Sequence, residues 1–284
     1  MSYSILDKKK LGPDTNLLII KAPYVAKSAR PGQFIVLRAY EKGERIPLTI
    51  ADIDKGKGTV TIIFQVVGKT TKYLSLLKVG ERISDLLGPL GNPTEIKNFG
   101  VIATLGGGFG TAVLYPLVKA LKKVGNHLII INGARNEKLL ILEDELKKLS
   151  NEYYVTTDDG SKGVKGFVTN LLQKLIEKEN KKIDRVFAVG PVPMMKATSD
   201  LTRKYNIKTI VSLNPIMVDG TGMCGSCRVE VDGETKFACV DGPDFDAHKV
   251  NFNLLMRRLR MYKKEEKISL NRFDSIRKDS SRNL

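Results

Sequence analysis

The hydrophobic pattern changes once along the chain. Over residues 1–98, short apolar runs alternate with polar turns. The runs at 17–21, 34–38, 48–52, 59–66 and 82–86 predict strands. Their separators carry turn chemistry: Gly12-Pro13-Asp14, Arg30-Pro31-Gly32 and the Asp-Lys-Gly-Lys-Gly of 54–58. Short strands at this spacing predict a small antiparallel β-barrel. One helix, 71–77, interrupts them. From Val101 onward buried-type strands alternate with longer amphipathic helices. Strands are predicted at 101–105, 127–132, 153–157, 185–189 and 209–213, and helices at 111–124, 142–149, 168–177 and 193–205. That alternation indicates a parallel α/β sheet. Residues 214–250 are turn-rich, and 251–284 form a charged, partly helical tail. The expected organisation is a barrel over 1–98, an α/β domain over 99–213, a small lobe over 214–250 and a basic tail over 251–284.

Composition adds limits. With 284 residues there is room for about two domains of ordinary size. A hydrophobic share of 42% and a charged share of 27% fit a globular chain and exclude a collagen or a wholly disordered one. No apolar run reaches the roughly 18 residues of a membrane span. The first residues show no long apolar leader, so a cytoplasmic location and no membrane are expected. The formal charge of +16 raises the question of nucleic acid. Ten Lys/Arg against four Asp/Glu fall in 257–284, the rest of the excess is spread out, and Trp is absent. No nucleic-acid module is recognisable, so a solvated surface with a basic tail is expected.

The three cysteines, Cys224, Cys227 and Cys239, fall within a short stretch. Asp219 stands before the first of them, with four residues between, in the pattern Asp219-x4-Cys224-x2-Cys227, and Cys239 follows. Plant-type [2Fe–2S] sites use C-x4-C-x2-C and a distant fourth cysteine. A carboxylate oxygen can ligate ferric iron, which makes Asp219 the candidate fourth ligand. Gly220, Gly222 and Gly225 let the backbone curl tightly around such a group. Zinc held by three thiolates and a carboxylate is a rival, and so is a plain turn with inert buried cysteines.

Other segments are weaker alone. Arg45-Ile46-Pro47-Leu48-Thr49 offers a guanidinium fork before an extended segment, although an Arg before a strand is common. Gly68-Lys69-Thr70-Thr71 opens a helix whose start can face a phosphate. Gly106-Gly107-Gly108-Phe109-Gly110 joins strand to helix, but its spacing is not G-x-G-x-x-G, and Arg135 rather than an acid follows the next strand. Asp158-Asp159-Gly160-Ser161 and Gly190-Pro191-Val192-Pro193-Met194-Met195 also follow strands. In a parallel sheet these loops share the carboxyl edge, where ligands bind. His248 reads as a structural hydrogen-bonding residue.

Taken in order, R-x-P-L-T, V-G-K-x-T, G-P-L-G, G-G-G, G-P-x-x-M-M and the cysteine cluster resemble the ferredoxin–NADP reductase-like electron-transfer subunits. Within them the chain resembles the small (alpha) subunit of NADH-dependent ferredoxin:NADP oxidoreductase, also called the sulfide dehydrogenase beta subunit. The stretch 214–227, with Asp219 in a ligand position, carries much of this likeness. The related dihydroorotate dehydrogenase electron-transfer subunits generally have Cys there. The resemblance covers about residues 1–262. It implies a ferredoxin–NADP reductase-like fold: an FAD-binding barrel, an NAD(P)-binding α/β domain and a C-terminal [2Fe–2S] lobe. It implies FAD contacts at Arg45, Pro47, Leu48, Thr49, Val67, Gly68, Thr70 and Thr71. Gly107, Gly108, Asp159, Gly190 and Met194 would line the site for NAD(H) or NADP(H). Asp219, Cys224, Cys227 and Cys239 would hold the cluster. The implied partner is a large subunit carrying FAD and [4Fe–4S] clusters, with ferredoxin served through the complex, in electron bifurcation. The alternatives are an electron-transfer subunit for another enzyme, of the dihydroorotate dehydrogenase kind, or a basic zinc protein that binds nucleic acid. Phe109 departs from the small aliphatic residue usual after the third glycine, and it is expected to alter or block nucleotide access.

Overall fold

The computed structural model describes residues 3–282, with side chains through 276. Seven strands form the first sheet: β1 (Tyr3–Lys10), β2 (Thr15–Lys21), β3 (Phe34–Arg38), β4 (Arg45–Asp54), β5 (Thr59–Gln65), β6 (Arg82–Ile83) and β7 (Asp85–Leu90). Two short helices accompany them, α1 (Pro23–Ser28) and α2 (Lys69–Leu76). The order is β6-β1-β2-β5-β4-β3-β7, and the pairs are antiparallel. The two outer members, β6 and β7, are one stretch of chain broken only at Ser84. The sheet therefore closes almost completely on itself, which removes its open edges. Ile5, Leu18, Ile20, Ile35, Leu37, Ile62 and Phe64 fill the interior. The alternation at 18 and 20, 35 and 37, and 62 and 64 is the period of a strand with one buried face.

The second sheet contains β8 (Val101–Gly107), β9 (His127–Ala134), β10 (Glu152–Thr157), β11 (Val164–Lys165), β12 (Arg185–Val189) and β13 (Lys208–Ser212). Helices α3 (Gly110–Lys123), α4 (Glu143–Leu149), α5 (Val168–Glu177) and α6 (Val192–Arg203) connect them. The order is β11-β10-β9-β8-β12-β13, all parallel, and a short antiparallel strand from the lobe, β16 (Asp244–Asp246), completes it beside β13. Helix α5 shows why the helices pack. Val168, Leu171, Leu172 and Leu175 recur at helical spacing and are all buried. Each contributes about 1.5–3 kcal/mol through its burial.

The lobe holds a hairpin, β14 (Arg228–Val231) with β15 (Glu234–Phe237), and a short strand, β16 (Asp244–Asp246). β16 pairs antiparallel with β13, so the α/β sheet runs into the lobe. A single apolar cluster joins Leu105, Ile131 and Leu172 of the α/β domain to Met217, Cys227 and Cys239 of the lobe and to Phe34 and Val36 of the barrel. Beyond the lobe come α7 (Phe252–Arg258) and α8 (Lys263–Arg282), which turns back onto the barrel. Among the described residues, no helix is long and apolar enough to cross a membrane.

Candidate functional site

The sheet order reverses between β8 and β12, and there the loops after the two strands separate. Such switch points in open α/β sheets are ligand sites. Here a cleft of about 840 Å³ lies against it, lined by all three parts of the chain. Gly107, Gly108, Gly190 and Met194 line it from the α/β side, as expected. A Cβ on Gly107 would collide with the Met194 sulfur, and one on Gly190 would come within 3.1 Å of the Gly107 Cα. Both glycines are required for the two loops to approach. Gly108 differs. Its φ is +56°, and no heavy atom lies within 4 Å of where a Cβ would stand. A ligand can therefore come close to this backbone.

The glycine loop is braced from behind. The Thr111 hydroxyl donates to Asn132 Oδ1 at 2.9 Å, and Asn132 Nδ2 donates to the Ile141 carbonyl at 3.2 Å and the Tyr153 hydroxyl at 3.0 Å. Burial pushes the Tyr153 phenol up to about 12, so it remains a neutral partner in this network. Phe109 divides its surface. It lines the cleft and also packs with Ala51, Ile63, Ala112 and Ile141 in the seam between barrel and α/β domain.

The facing wall is Pro47, Leu48 and Thr49 of β4 with Phe34 of β3. Over Arg45–Thr49, β3 is the described strand that pairs with β4, and pairing to β5 begins only at Ile50. One backbone edge of this segment is thus unpaired beside the cleft. Unpaired amides and carbonyls suit the edge of a planar heterocycle. Arg45 itself is exposed at the strand start, outside the cleft lining. Among the described residues its guanidinium has no hydrogen bond or ion pair.

The loop before α2 lies outside the cleft lining as well. Val67 is exposed, and Gly68 is the extended N-cap residue with open space beside it. The two threonines are already engaged. Thr70 donates to the Glu44 carboxylate at 2.5 Å. Thr71 Oγ1 accepts the amides of Val67 and Gly68, each at 3.0 Å. These hydroxyls shape the turn, leaving Gly68 and the start of α2 as its open surface.

Asp159 sits outside the cleft lining. Its carboxylate accepts the Ser161 amide at 2.9 Å and hydroxyl at 2.7 Å, contacts that hold it below the usual carboxylate range. Its neighbour Asp158 lines the cleft instead. Sequence reasoning also missed Phe167 and Thr169 at the start of α5, and Met217 and Pro243 from the lobe. The first two follow a strand of two residues, too short for any periodic signal, and the last two reach the cleft only through tertiary packing.

In the lobe the four candidate ligands form two pairs. Asp219 Oδ2 accepts the Cys224 amide at 2.8 Å, Oδ1 accepts the Thr221 amide at 2.8 Å, and the Cys224 thiol also interacts with the carboxylate. These backbone contacts hold Asp219 below the usual carboxylate range. The Ser226 hydroxyl and amide likewise lower the Cys224 thiol. Cys227 and Cys239 are buried, with sulfurs 3.2 Å apart and no disulfide. Burial, then the neighbouring Cys227, pushes the Cys239 thiol up to about 12. No three potential metal donors converge among the described residues. Two donor pairs are what a two-iron group requires, one pair for each metal. Gly220, Gly222 and Gly225 all have positive φ, which gives the loop its curl. Arg258 adds an orphan: its Nη2 donates to the Ser226 carbonyl at 3.1 Å, while its buried Nε has no partner among the described residues. A buried donor beside Cys227 fits a group carrying anionic acceptors.

A barrel with an unpaired strand edge, facing the switch point of a doubly wound sheet across one cleft, defines a reductase of the ferredoxin–NADP type with a cluster lobe attached. Residues 214–251 match the iron–sulfur cluster binding domain of dihydroorotate dehydrogenase B, and 104–200 match the oxidoreductase NAD-binding domain. A dihydroorotate dehydrogenase B (NAD(+)) electron transfer subunit homolog of Thermotoga maritima is 51% identical, covering 95% of this chain and 94% of that one. The electron transfer subunit of Fusobacterium nucleatum is 36% identical over 87% of this chain and 96% of its own. A solved chain, from the structure of an NADH-dependent reduced ferredoxin-NADP oxidoreductase described as showing flavin-based electron bifurcation, is 50% identical. It superposes with a TM-score of 0.90 and covers 96% of this chain and 98% of its own. The chain belongs to this family of electron-transfer oxidoreductase subunits.

Proposed function

We propose that the chain moves electrons between NAD(H) or NADP(H), FAD and a [2Fe–2S] cluster, as the small subunit of a larger NAD(P)H:ferredoxin oxidoreductase. The observation that carries this reading is the single cleft in which the half-unpaired β4 faces the glycine loops of the switch point. Leu48 and Thr49 would present backbone donors and a hydroxyl to the flavin ring. Arg45 and the start of α2 would take its phosphates. Gly107, Gly108 and Gly190 would let a nicotinamide approach the opposite face, with Phe34 and Phe109 helping to exclude water. Asp219 with Cys224, and Cys227 with Cys239, would each hold one iron. Asp219 can do so while keeping its amide contacts, since each carboxylate oxygen has two lone pairs. When bound, these groups supply the conversion of a two-electron hydride donor into one-electron steps.

The family relation implies a partner subunit. The finer reading is a large subunit with FAD and [4Fe–4S] clusters, ferredoxin as its protein substrate, and bifurcation of electrons between them. A dihydroorotate dehydrogenase partner is the second reading, supported by the names of the relatives. Stopped-flow reduction by NADH and by NADPH, for the wild type and Phe109→Val, tests the nucleotide site. Flavin bleaching by a nucleotide in the wild type supports it. No reduction in either protein removes it, and reduction restored only in Phe109→Val means that Phe109 blocks the native site. Iron and acid-labile sulfide near two each per chain support the cluster. A colourless chain holding zinc would reverse the whole reading.

A further inference from the structure

The match to the cluster domain ends at residue 251, yet the next helix returns a charged side chain to the lobe. Asn251 fixes the start of α7. Its Oδ1 accepts the Leu254 amide at 3.0 Å, and its Nδ2 donates to the Glu230 carboxylate of β14 at 2.8 Å. Phe252 and Leu255 then bury in the same apolar cluster as Cys227 and Cys239. Arg258 follows Leu255 at i+3, on the helical face that meets the lobe. Its Nη2 donates to the Ser226 carbonyl at 3.1 Å, between Cys224 and Cys227 in the chain.

The guanidinium is poorly compensated where it stands. Burial, then repulsion from Arg228, disfavours its charge, and Cys227 and Tyr262 act the other way. Among the described residues no carboxylate pairs with it, and its buried Nε–H has no acceptor. A buried donor and a partly buried charge left unmet are both unfavourable. Arg228 is the contrast. Its Nη1 donates to the Gly225 carbonyl at 3.1 Å, on the same loop, but the residue is exposed and water serves it. What Arg258 lacks is an anion on the Cys227 side of the lobe. Three thiolates, a carboxylate and two sulfides outweigh two ferric ions, so a two-iron centre here carries roughly two negative charges, and roughly three once reduced. A fixed cation beside it favours the more negative form.

We propose that Arg258 sets the reduction potential of the cluster, holding it higher than the four ligands alone would. The proposal rests on the cluster reading given above and goes beyond it by adding a residue that is not a ligand. Arg258 is a positioning residue. It braces the ligand loop through Ser226 and offers its charge and its free Nε–H to the sulfur acceptors at Cys227.

Redox titration of the full chain, followed by the electron paramagnetic resonance of the reduced cluster, tests this in the wild type, Arg258→Gln, Arg258→Lys and Arg228→Gln. Iron and sulfide content and circular dichroism are measured first on each. Arg258→Gln keeps a donor for the Ser226 carbonyl and loses the charge. At a fixed applied potential its reduced-to-oxidised ratio should fall about tenfold, a midpoint lower by about 59 mV for one electron. Arg258→Lys keeps the charge and should recover part of that loss. Arg228→Gln removes a water-screened charge, and its ratio should stay within about twofold of the wild type. A residue that only anchors α7 would change unfolding and cluster content but not the midpoint. An unchanged midpoint in Arg258→Gln, or an equal fall in Arg228→Gln, overturns the proposal while the cluster reading stands. If Arg258→Gln cannot hold the cluster, Arg258→Lys decides: a lowered midpoint supports the proposal and a wild-type midpoint refutes it. A wild-type chain without iron and acid-labile sulfide defeats the cluster reading itself, and this inference with it.

Discussion

Asp219 does two things with one carboxylate. It closes the loop by accepting two backbone amides, and it also meets the Cys224 thiol. Asp219→Cys is expected to keep an iron–sulfur cluster with altered electron paramagnetic resonance and potential, because a thiolate is softer than a carboxylate. Asp219→Ala removes both amide contacts and the ligand, and should lose iron faster to a chelator. An unchanged resonance signal in both variants would show that Asp219 serves the loop alone. The sequence made the ligand and turn roles of this residue both visible, through its spacing and its glycines. Whether one carboxylate can serve both depends on where each lone pair points, which spacing does not encode. Phe109 illustrates the opposite case. Its departure from the family pattern was plain, but its packing into the barrel seam depends on Ala51 and Ile63, which lie far away in sequence.

At the scale of elements, close contacts and buried groups set the tolerances. Gly110 starts α3 against the end of β12, where a Cβ would collide with the Val189 carbonyl. Gly110→Ala should destabilise the fold by about 1–3 kcal/mol or more, read by urea unfolding. On β16, burial raises the Asp244 carboxyl above its ordinary value, against the pull of the Thr94 and Ser212 hydroxyls. The folded chain therefore holds this proton to a higher pH than the unfolded chain does. Stability falls as pH rises from the ordinary aspartate value of about 3.9 through the folded one. Asp244→Asn has no proton to lose there and can still accept from Thr94. Its melting temperature should gain on the wild type as pH rises through that window, and parallel curves would refute the assignment. Period alone revealed most strands and every long helix of the α/β domain. β1 was overlooked because Lys8-Lys9-Lys10 breaks its apolar alternation, and α1 because it opens on a proline. β16 has three residues and no local signal; β13 alone makes it a strand.

For the whole molecule, the lobe is a splice between two domains. The Asn92 amide donates to the Gly242 carbonyl at 2.6 Å, Asn92 Nδ2 reaches Val240 and Asp241, and Thr94 reaches Asp244. The connecting segment before β8 has little regular structure, yet it is bonded to barrel and lobe alike. Hydrogen exchange at Asn92 and Thr94 should be slow despite their irregular backbone, and fast exchange would mean that the splice opens readily. The pairing of β16 with β13 has a further consequence, for the making of the protein. β16 covers the β13 edge of the α/β sheet, and it is carried by the lobe that matches the iron–sulfur cluster binding domain. A chain whose lobe has not set leaves Lys208–Ser212 as an open edge strand, a template for pairing with other chains. Iron supply and solubility are thereby linked: chains synthesised under iron starvation should scatter light and sediment as aggregates, while iron-replete chains stay dispersed.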